Sequence, residues 1–321
     1  MHCINCGVPT PLEEGGIFTV KSKTGLVGHR YASLLELERF VFSLQNKENN
    51  NDIEVKTSNM NGYYTLSNFS LMLQNHELVN LIAKGSFTTH FQPIIDLQND
   101  YRLFAYECLL RPQSANNSVS PYELFEFARK TNLHNYLDQK AREVSIISSS
   151  KGKIPEDVKI FINFLPSSIY NPEFCLQHTF HIVDKYNIAA NQLVFEVVES
   201  EKITDINHLE SIFKTYKKSG MQVALDDVGA GYSTLEVLDK LRPDFVKIDR
   251  SYVSHCDTLL ENQIFLQNVL EISEKLGIKV LAEGIERVEE LEYCRKIGIR
   301  YAQGYYIGKP SPSPTEPSFA I

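Results

Sequence analysis

The sequence has no run of about 20 consecutive apolar residues, the length a helix needs to cross a bilayer, so no membrane-spanning segment is expected. It has no basic excess either. Against 32 Lys and Arg stand 40 Asp and Glu, a formal net charge of −8. Non-specific binding to a DNA or RNA duplex therefore has no electrostatic basis, and an anionic substrate would need local cations or metal. Cysteine is too sparse for a disulfide framework: Cys3, Cys6, Cys108, Cys175, Cys256 and Cys294 are the only six in 321 residues. The opening stretch Met1–Gly7 lacks the basic and apolar regions of a secretory signal. A reduced, cytoplasmic setting is the expectation. With 43% hydrophobic and 22% charged residues the chain is globular rather than disordered or collagen-like. At roughly 150 residues per domain, its length predicts about two domains.

Residues 1–84 read as a small α+β module. Gly15–Val20 and Leu26–Tyr31 are candidate strands. Ser33 and Glu36 have capping-box spacing ahead of an apolar pattern at Leu34, Leu37, Val41 and Leu44, which predicts a helix. Residues 46–52 form a polar run expected as a loop. Asn61-Gly62 predicts a hairpin between flanking strands, and 67–83 a helix. A second domain over 85–312 and a frayed tail over 313–321 complete the division, the Ser- and Pro-rich stretch beginning at Ser311.

From residue 85 eight short β segments recur, most of them separated by helical patterns: Thr88–Ile95, Phe104–Leu110, Lys159–Leu165, Leu193–Val198, Gln222–Asp227, Phe245–Ile248, Lys279–Ala282 and Tyr301–Tyr306. Ser120-Pro121 with Glu123 opens one helix, and Gly220, Gly277 and Gly298 stand where helices should end. Eight such units predict a (β/α)8 TIM-like barrel. The competing doubly wound sheet would normally carry a Gly-rich first turn such as GxGxxG, and none is present. Chemistry in a barrel lies at the C-terminal strand ends. There the sequence places Glu107, Asn163, Glu196 and Glu199, Asp226 and Asp227, Lys247 and Asp249, Glu283, and Gln303. Carboxylates converging on one rim repel unless a counter-charge intervenes. All-oxygen donors favour Mg²⁺, Mn²⁺ or Ca²⁺ over zinc. The adjacent Asp226-Asp227 pair suggests a bridge between two ions, the arrangement used for in-line attack on a phosphodiester.

These residues, in this order, resemble the EAL-domain cyclic-di-GMP phosphodiesterases of bacteria from about Phe87 to Pro310. The likeness rests on Phe91-Gln92-Pro93, Glu107-Cys108-Leu109 followed by Leu110-Arg111, Asn163 to Pro166, Glu196 to Ser200, Asp226 to Ser233, Lys247-Ile248-Asp249, Ala282-Glu283-Gly284 and Gln303-Gly304-Tyr305. The resemblance implies hydrolysis of cyclic-di-GMP to linear pGpG by in-line attack of a metal-bound water, with Mg²⁺ or Mn²⁺, two ions. It implies that Glu107, Asn163, Glu196 and Asp226 hold one metal, and that Asp227 serves the second with Asp226 shared. Glu283 would act as general base or hold the attacking water. Lys247 would orient that water and balance charge, and Gln303 would complete the catalytic rim. Arg111 would grip a phosphate, with Gln92, Leu109 and Pro310 on the substrate side. Glu199 would brace the loop after the fifth strand, and a homodimer is implied. Cys108, Val228 and Phe164-Leu165 depart from the family pattern without removing a charged or amide group.

Two other function classes stay open: a cyclic-di-GMP receptor or interaction module without turnover, and a barrel hydrolase for another phosphodiester. No Gly-Gly-Asp-Glu-Phe motif of a diguanylate cyclase occurs. Cys3-x-x-Cys6 offers half of a Zn²⁺ site, with His2, His29, His90 or a dimer mate as further ligands; a redox pair and two cysteines without special role are the alternatives. Residues 1–84 are expected to regulate or dimerise the barrel.

Overall fold

Strand and helix periodicities alternate along most of the chain, and the computed structural model places both. It describes residues 10–23, 25–46, 53–60, 62–113, 119–197, 205–229 and 235–318. Glu199, Cys3, Cys6, Asn61, residues 47–52 and loop residues 230–234 lie outside the described residues. The chain divides into two units, 1–87 with 111–140 and 88–110 with 141–321.

In the first unit, β1 (Gly16–Ser22), β2 (Gly25–Tyr31), β3 (Glu54–Thr57) and β4 (Tyr64–Thr65) form an antiparallel sheet in the order β2-β1-β3-β4. Alternation sets its faces: Phe18, Val20 and Val55 are buried, while Ile17, one residue out of phase with Phe18, is exposed. The Phe18 ring meets Phe69, 5.4 Å away, on the helix Leu66–Gln74. The helix Leu34–Gln45 starts as its sequence predicts, with Ser33 Oγ accepting from Glu36 N at 3.2 Å. The helical pattern over 67–83 is not one helix. Asn75 takes φ −122 and ψ 40, and a second helix, His76–Lys84, follows it. The helix Pro121–Lys130 has the full capping box of Ser120 and Glu123.

The second unit is built on a closed barrel in the order β10-β11-β12-β5-β6-β7-β8-β9. Its strands are β5 (Phe87–Asp96), β6 (Arg102–Pro112), β7 (Lys159–Phe164), β8 (Leu193–Val197), β9 (Gln222–Val228), β10 (Phe245–Ile248), β11 (Lys279–Ala282) and β12 (Tyr301–Gln303). Helices return the chain between the parallel strands from β6 to β12, and Gly277 and Gly298 end two of them in the left-handed conformation. β5 is different. It pairs antiparallel with β12, Gln303 opposite Ile94, and only a turn over 97–101 leads to β6. Its N-terminal half therefore lies at the end where the other strands finish. β12 is shorter than expected because Gly304 turns away against Ile285: a Cβ there would lie 2.1 Å from the Ile285 carbonyl oxygen. The stretch read as a frayed tail is held at three points. Ser311 pairs with Phe91, Thr315 O accepts from the Tyr106 hydroxyl at 3.1 Å, and Ser318 N donates to Ile307 O at 3.0 Å.

The barrel interior is filled by one apolar residue from each strand: Ile94, Ala105, Phe161, Val194, Ala224, Phe245, Leu281 and Tyr301. Phe161 and Phe245 meet edge to face at 5.3 Å, and Phe104 stacks on Tyr301 at 3.9 Å. This aromatic floor closes the barrel, so it is a packed core and not a pore.

Candidate active site

Strand side chains alternate with period two, so the residue two positions beyond each floor residue points into the same barrel. Toward the C-terminal ends those residues are Glu107, Asn163, Glu196, Asp226, Lys247, Glu283 and Gln303. On reversed β5 the equivalent position lies two residues earlier, at Gln92. All eight strands thus set a polar layer directly on an apolar floor. Gln92, Glu107, Glu196, Asp226, Lys247 and Gln303 are buried among them, Lys247 at 1% exposure.

Lys247 Nζ is the hub. It lies 2.7 Å from Glu283 Oε1, 2.9 Å from Glu196 Oε2, 3.2 Å from Asp226 Oδ1 and 3.7 Å from Glu107 Oε1. Asn163 Nδ2 donates to Glu196 Oε1 at 2.7 Å and to Glu107 Oε1 at 3.2 Å, and Gln303 Nε2 donates to Glu107 Oε2 at 2.6 Å. Gln303 Oε1 is buried and has no hydrogen-bond partner. β9 bulges against β10: Leu225 faces Val246 and Val228 faces Ile248, so Asp226 and Asp227 together oppose Lys247. Asp227 has φ 51, a left-handed backbone that Asp tolerates. The bulge and this turn break strand alternation, and neighbouring carboxylates come together. Donor atoms of Asp226, Asp227 and Glu283 lie within 4.8 Å of one another.

Electrostatics follow from crowding five carboxylates around one ammonium. Burial pushes the Glu196 and Glu283 carboxyls well above the ordinary range, more than Lys247 can offset. Burial and the neighbouring Asp226 raise Asp227 to about 6. Glu107 is held below the usual value despite its burial, because Lys247 and the Gln303 and Asn163 amides favour its charged form. Burial disfavours the Lys247 ammonium, but the surrounding carboxylates raise its pKa well above that of a free lysine. The charge balance, the all-oxygen donors and the orphaned Gln303 oxygen fit divalent cations.

The other expected positions fall around this layer. Gln92 is buried and its Nε2 donates to Gly308 O at 3.2 Å. Gly308 in turn packs on Pro93: a Cβ there would lie 2.6 Å from the proline ring. Pro310 precedes Ser311, which pairs with Phe91. Leu109 and Arg111 continue the Glu107 face of β6 at the next two alternate positions, both half-buried. Cys108 faces away from the site, buried beside Ser149 Oγ at 3.4 Å, and burial raises its thiol to about 12. Sequence reasoning did not single out Glu290, which ties two rim loops together; its only local signal is the capping-box spacing Arg287-x-x-Glu290. It did not foresee the reversal of β5 from strand patterning either, although the short spacing between its first two strands was available.

Residues 75–310 match the EAL domain family. The protein named "Probable cyclic di-GMP phosphodiesterase PdeG" of Escherichia coli (strain K12) is 33% identical over 235 residues, 71% of this chain and 45% of that protein. Among solved structures, a standalone versatile EAL protein from Vibrio cholerae O395 in its c-di-GMP-bound form matches with a TM-score of 0.65 at 31% identity, over 72% of this chain and 95% of that one. The manganese and cy-diGMP complex of Klebsiella pneumoniae BlrP1 at pH 9.0 matches with a TM-score of 0.64 at 27% identity, over 70% and 56%. The chain spans less than half the length of curated relatives it matches.

Proposed function

Because the chain belongs to the EAL domain family, we propose that it is a metal-dependent phosphodiesterase that hydrolyses cyclic-di-GMP to linear pGpG. The observation that carries this is the polar layer itself: four carboxylates, three amides and one buried lysine over a closed apolar floor, with Asp227 beside them. Glu107, Asn163, Glu196 and Asp226 would hold one Mg²⁺ or Mn²⁺, and Asp226 with Asp227 the second. Such ions polarise a phosphodiester and lower the pKa of bound water.

The chain's own residues then divide the work. Glu283 takes the proton of the attacking water; its raised pKa makes it a stronger base than an exposed carboxylate. Lys247 donates to Glu283 Oε1 at 2.7 Å, so it fixes that carboxylate's orientation while staying charged itself. Gln303 and Asn163 hold Glu107 in its ionised form. Arg111 offers a planar guanidinium for bidentate contact with a phosphate oxygen pair. Gln92, Leu109 and Pro310 border the substrate side, and Glu199 would brace the loop that follows β9. Residues 1–84 act as a regulatory or dimerisation module, 85–312 as the catalytic domain, in a cytoplasmic homodimer. Among the described residues no helix is long and apolar enough to cross a membrane.

The test is incubation with cyclic-di-GMP and Mg²⁺ or Mn²⁺, following pGpG by chromatography with a chelator control. Glu107→Ala should abolish metal-dependent product. Binding of the dinucleotide without product would make the protein a receptor instead, and neither binding nor product would overturn the substrate assignment.

A further inference from the structure

The helix Val288–Ile297 begins with a carboxylate that does more than cap it. In an ordinary capping box the glutamate at the third helical residue accepts from the backbone N–H of the residue preceding the helix. Glu290 does this, with Oε2 3.2 Å from Arg287 N. It also accepts from Glu286 N at 3.0 Å on the same oxygen, and its Oε1 accepts from His255 N at 2.9 Å and Arg287 Nε at 3.2 Å. The residue is 2% exposed. Arg287, so engaged, also pairs with Asp257.

The partners belong to two different loops. Glu286 and Arg287 end the loop that begins at Glu283, immediately after β11. His255 and Asp257 lie in the segment that follows β10, whose third residue is Lys247. Between Glu283 and Glu290 the loop has three more backbone ties: Glu283 N to Ile248 O at 3.1 Å, Ile285 N to Gln303 O at 3.0 Å and Tyr306 N to Ile285 O at 3.0 Å. Gly284, at φ 71, lies under Arg250, where a Cβ would be 2.4 Å from the arginine Cγ. The Glu283 loop is thus fixed on its barrel side by strand neighbours and on its outer side by the buried Glu290 carboxylate, beside two more accessible ion pairs to the segment after β10, Arg287 with Asp257 and Arg250 with Glu286 at 2.9 Å.

We propose that Glu290 is a positioning residue for the active site: by tying the loop after β11 to the segment after β10, it sets Glu283 relative to Lys247 and Asp226. The consequence for turnover rests on the phosphodiesterase reading above; the consequence for cation binding rests only on the donor cluster of Asp226, Asp227 and Glu283. A buried carboxylate gripped by four N–H donors stays ionised, and burial is more than offset by those donors. Replacing it with an amide puts an NH₂ where an N–H now points, so one loop must let go.

The experiment uses the full chain as Glu290→Gln and, as a milder variant that keeps the backbone ties, Arg287→Ala. Mn²⁺ binding is measured by calorimetry and turnover of cyclic-di-GMP by steady-state kinetics, with circular dichroism and melting as controls for folding. Losing a residue that orients metal-binding groups typically costs about 10–100-fold in affinity or activity. Glu290→Gln should weaken Mn²⁺ binding by about 10-fold or more and lower kcat more than it changes KM, with a cooperative melt retained. Arg287→Ala should shift both in the same direction by less. If Glu290→Gln melts lower yet binds Mn²⁺ as the unaltered protein does, Glu290 is a helix cap and the proposal fails. If Glu290→Gln does not fold, unchanged Mn²⁺ binding in Arg287→Ala overturns it. Absence of turnover in the unaltered protein would overturn the phosphodiesterase reading alone, since the Mn²⁺ titration still decides the positioning role.

Discussion

Replacing Lys247 with Met keeps the length of the side chain and removes the ammonium that faces Glu107, Glu196, Asp226 and Glu283. Breaking a buried ion pair on one side costs about 3–5 kcal/mol, mostly because the remaining charge is left uncompensated. Lys247 is 1% exposed, Glu196 is fully buried and Glu283 is only 18% exposed, so solvent screening reduces this little. For a unit of roughly 200 residues, 1 kcal/mol corresponds to about 2–4 °C in Tm, so the metal-free variant should melt about 6–20 °C lower at pH 8. The deficit must also depend on pH. Glu196 and Glu283 already have raised pKa values in the folded protein, so they favour folding when protonated and disfavour it as pH rises through those values. Without the ammonium they rise further, and the variant takes up more protons on folding. The gap between variant and unaltered protein should therefore widen from pH 5 to pH 8. Lys247 itself stays charged across that range and contributes no opposing slope. Differential scanning calorimetry at several pH values, with chelator present, measures this directly. A deficit of the same size at pH 5 and pH 8 would refute the electrostatic account and leave Lys247 a packing residue.

Three further outcomes follow from the same geometry. Cation binding should weaken as pH falls below about 6, because Asp227 must lose its proton to serve as a ligand; Mn²⁺ titrations of the unaltered protein and of Asp227→Asn at pH 5.5 and 7.5 would show the same affinities in both if Asp227 plays no part. Gly304→Ala would place a Cβ 2.1 Å from Ile285 O and should destabilise the protein by about 4 kcal/mol or more, read as a lost or strongly lowered melt. Cys108→Ala should leave turnover within about two-fold, since the side chain points away from Glu107 and a packed-core truncation to alanine acts on stability first; a large loss of kcat at unchanged Tm would contradict the strand facing.

The barrel was legible because its information is local. Each of Ala105-x-Glu107, Phe161-x-Asn163, Ala224-x-Asp226, Phe245-x-Lys247 and Leu281-x-Glu283 carries floor and rim within three residues, and period-two alternation needs nothing from elsewhere in the chain. All eight expected segments are strands of the closed sheet. What alternation does not carry is direction. Gln92 reaches the rim only because β5 runs against its neighbours, and its place among the expected residues came from family likeness, not from the rule that chemistry lies at strand C-termini. Non-local ties were harder still. The bulge that sets Asp226 and Asp227 against Lys247 depends on pairing between β9 and β10, strands separated by a whole helical crossover. Glu290 meets His255 across 35 positions, and Arg287 is no usual cap residue, so the spacing Arg287-x-x-Glu290 raised no alarm. The helix break at Asn75 was hidden for the opposite reason: the apolar pattern runs through it, and only the backbone turn of that one residue separates the two helices. Periodicity thus reads which face a side chain takes, while the angle at which two loops hold a base against a lysine is decided by contacts between distant segments. That is where changes such as Glu290→Gln should alter chemistry without altering the fold.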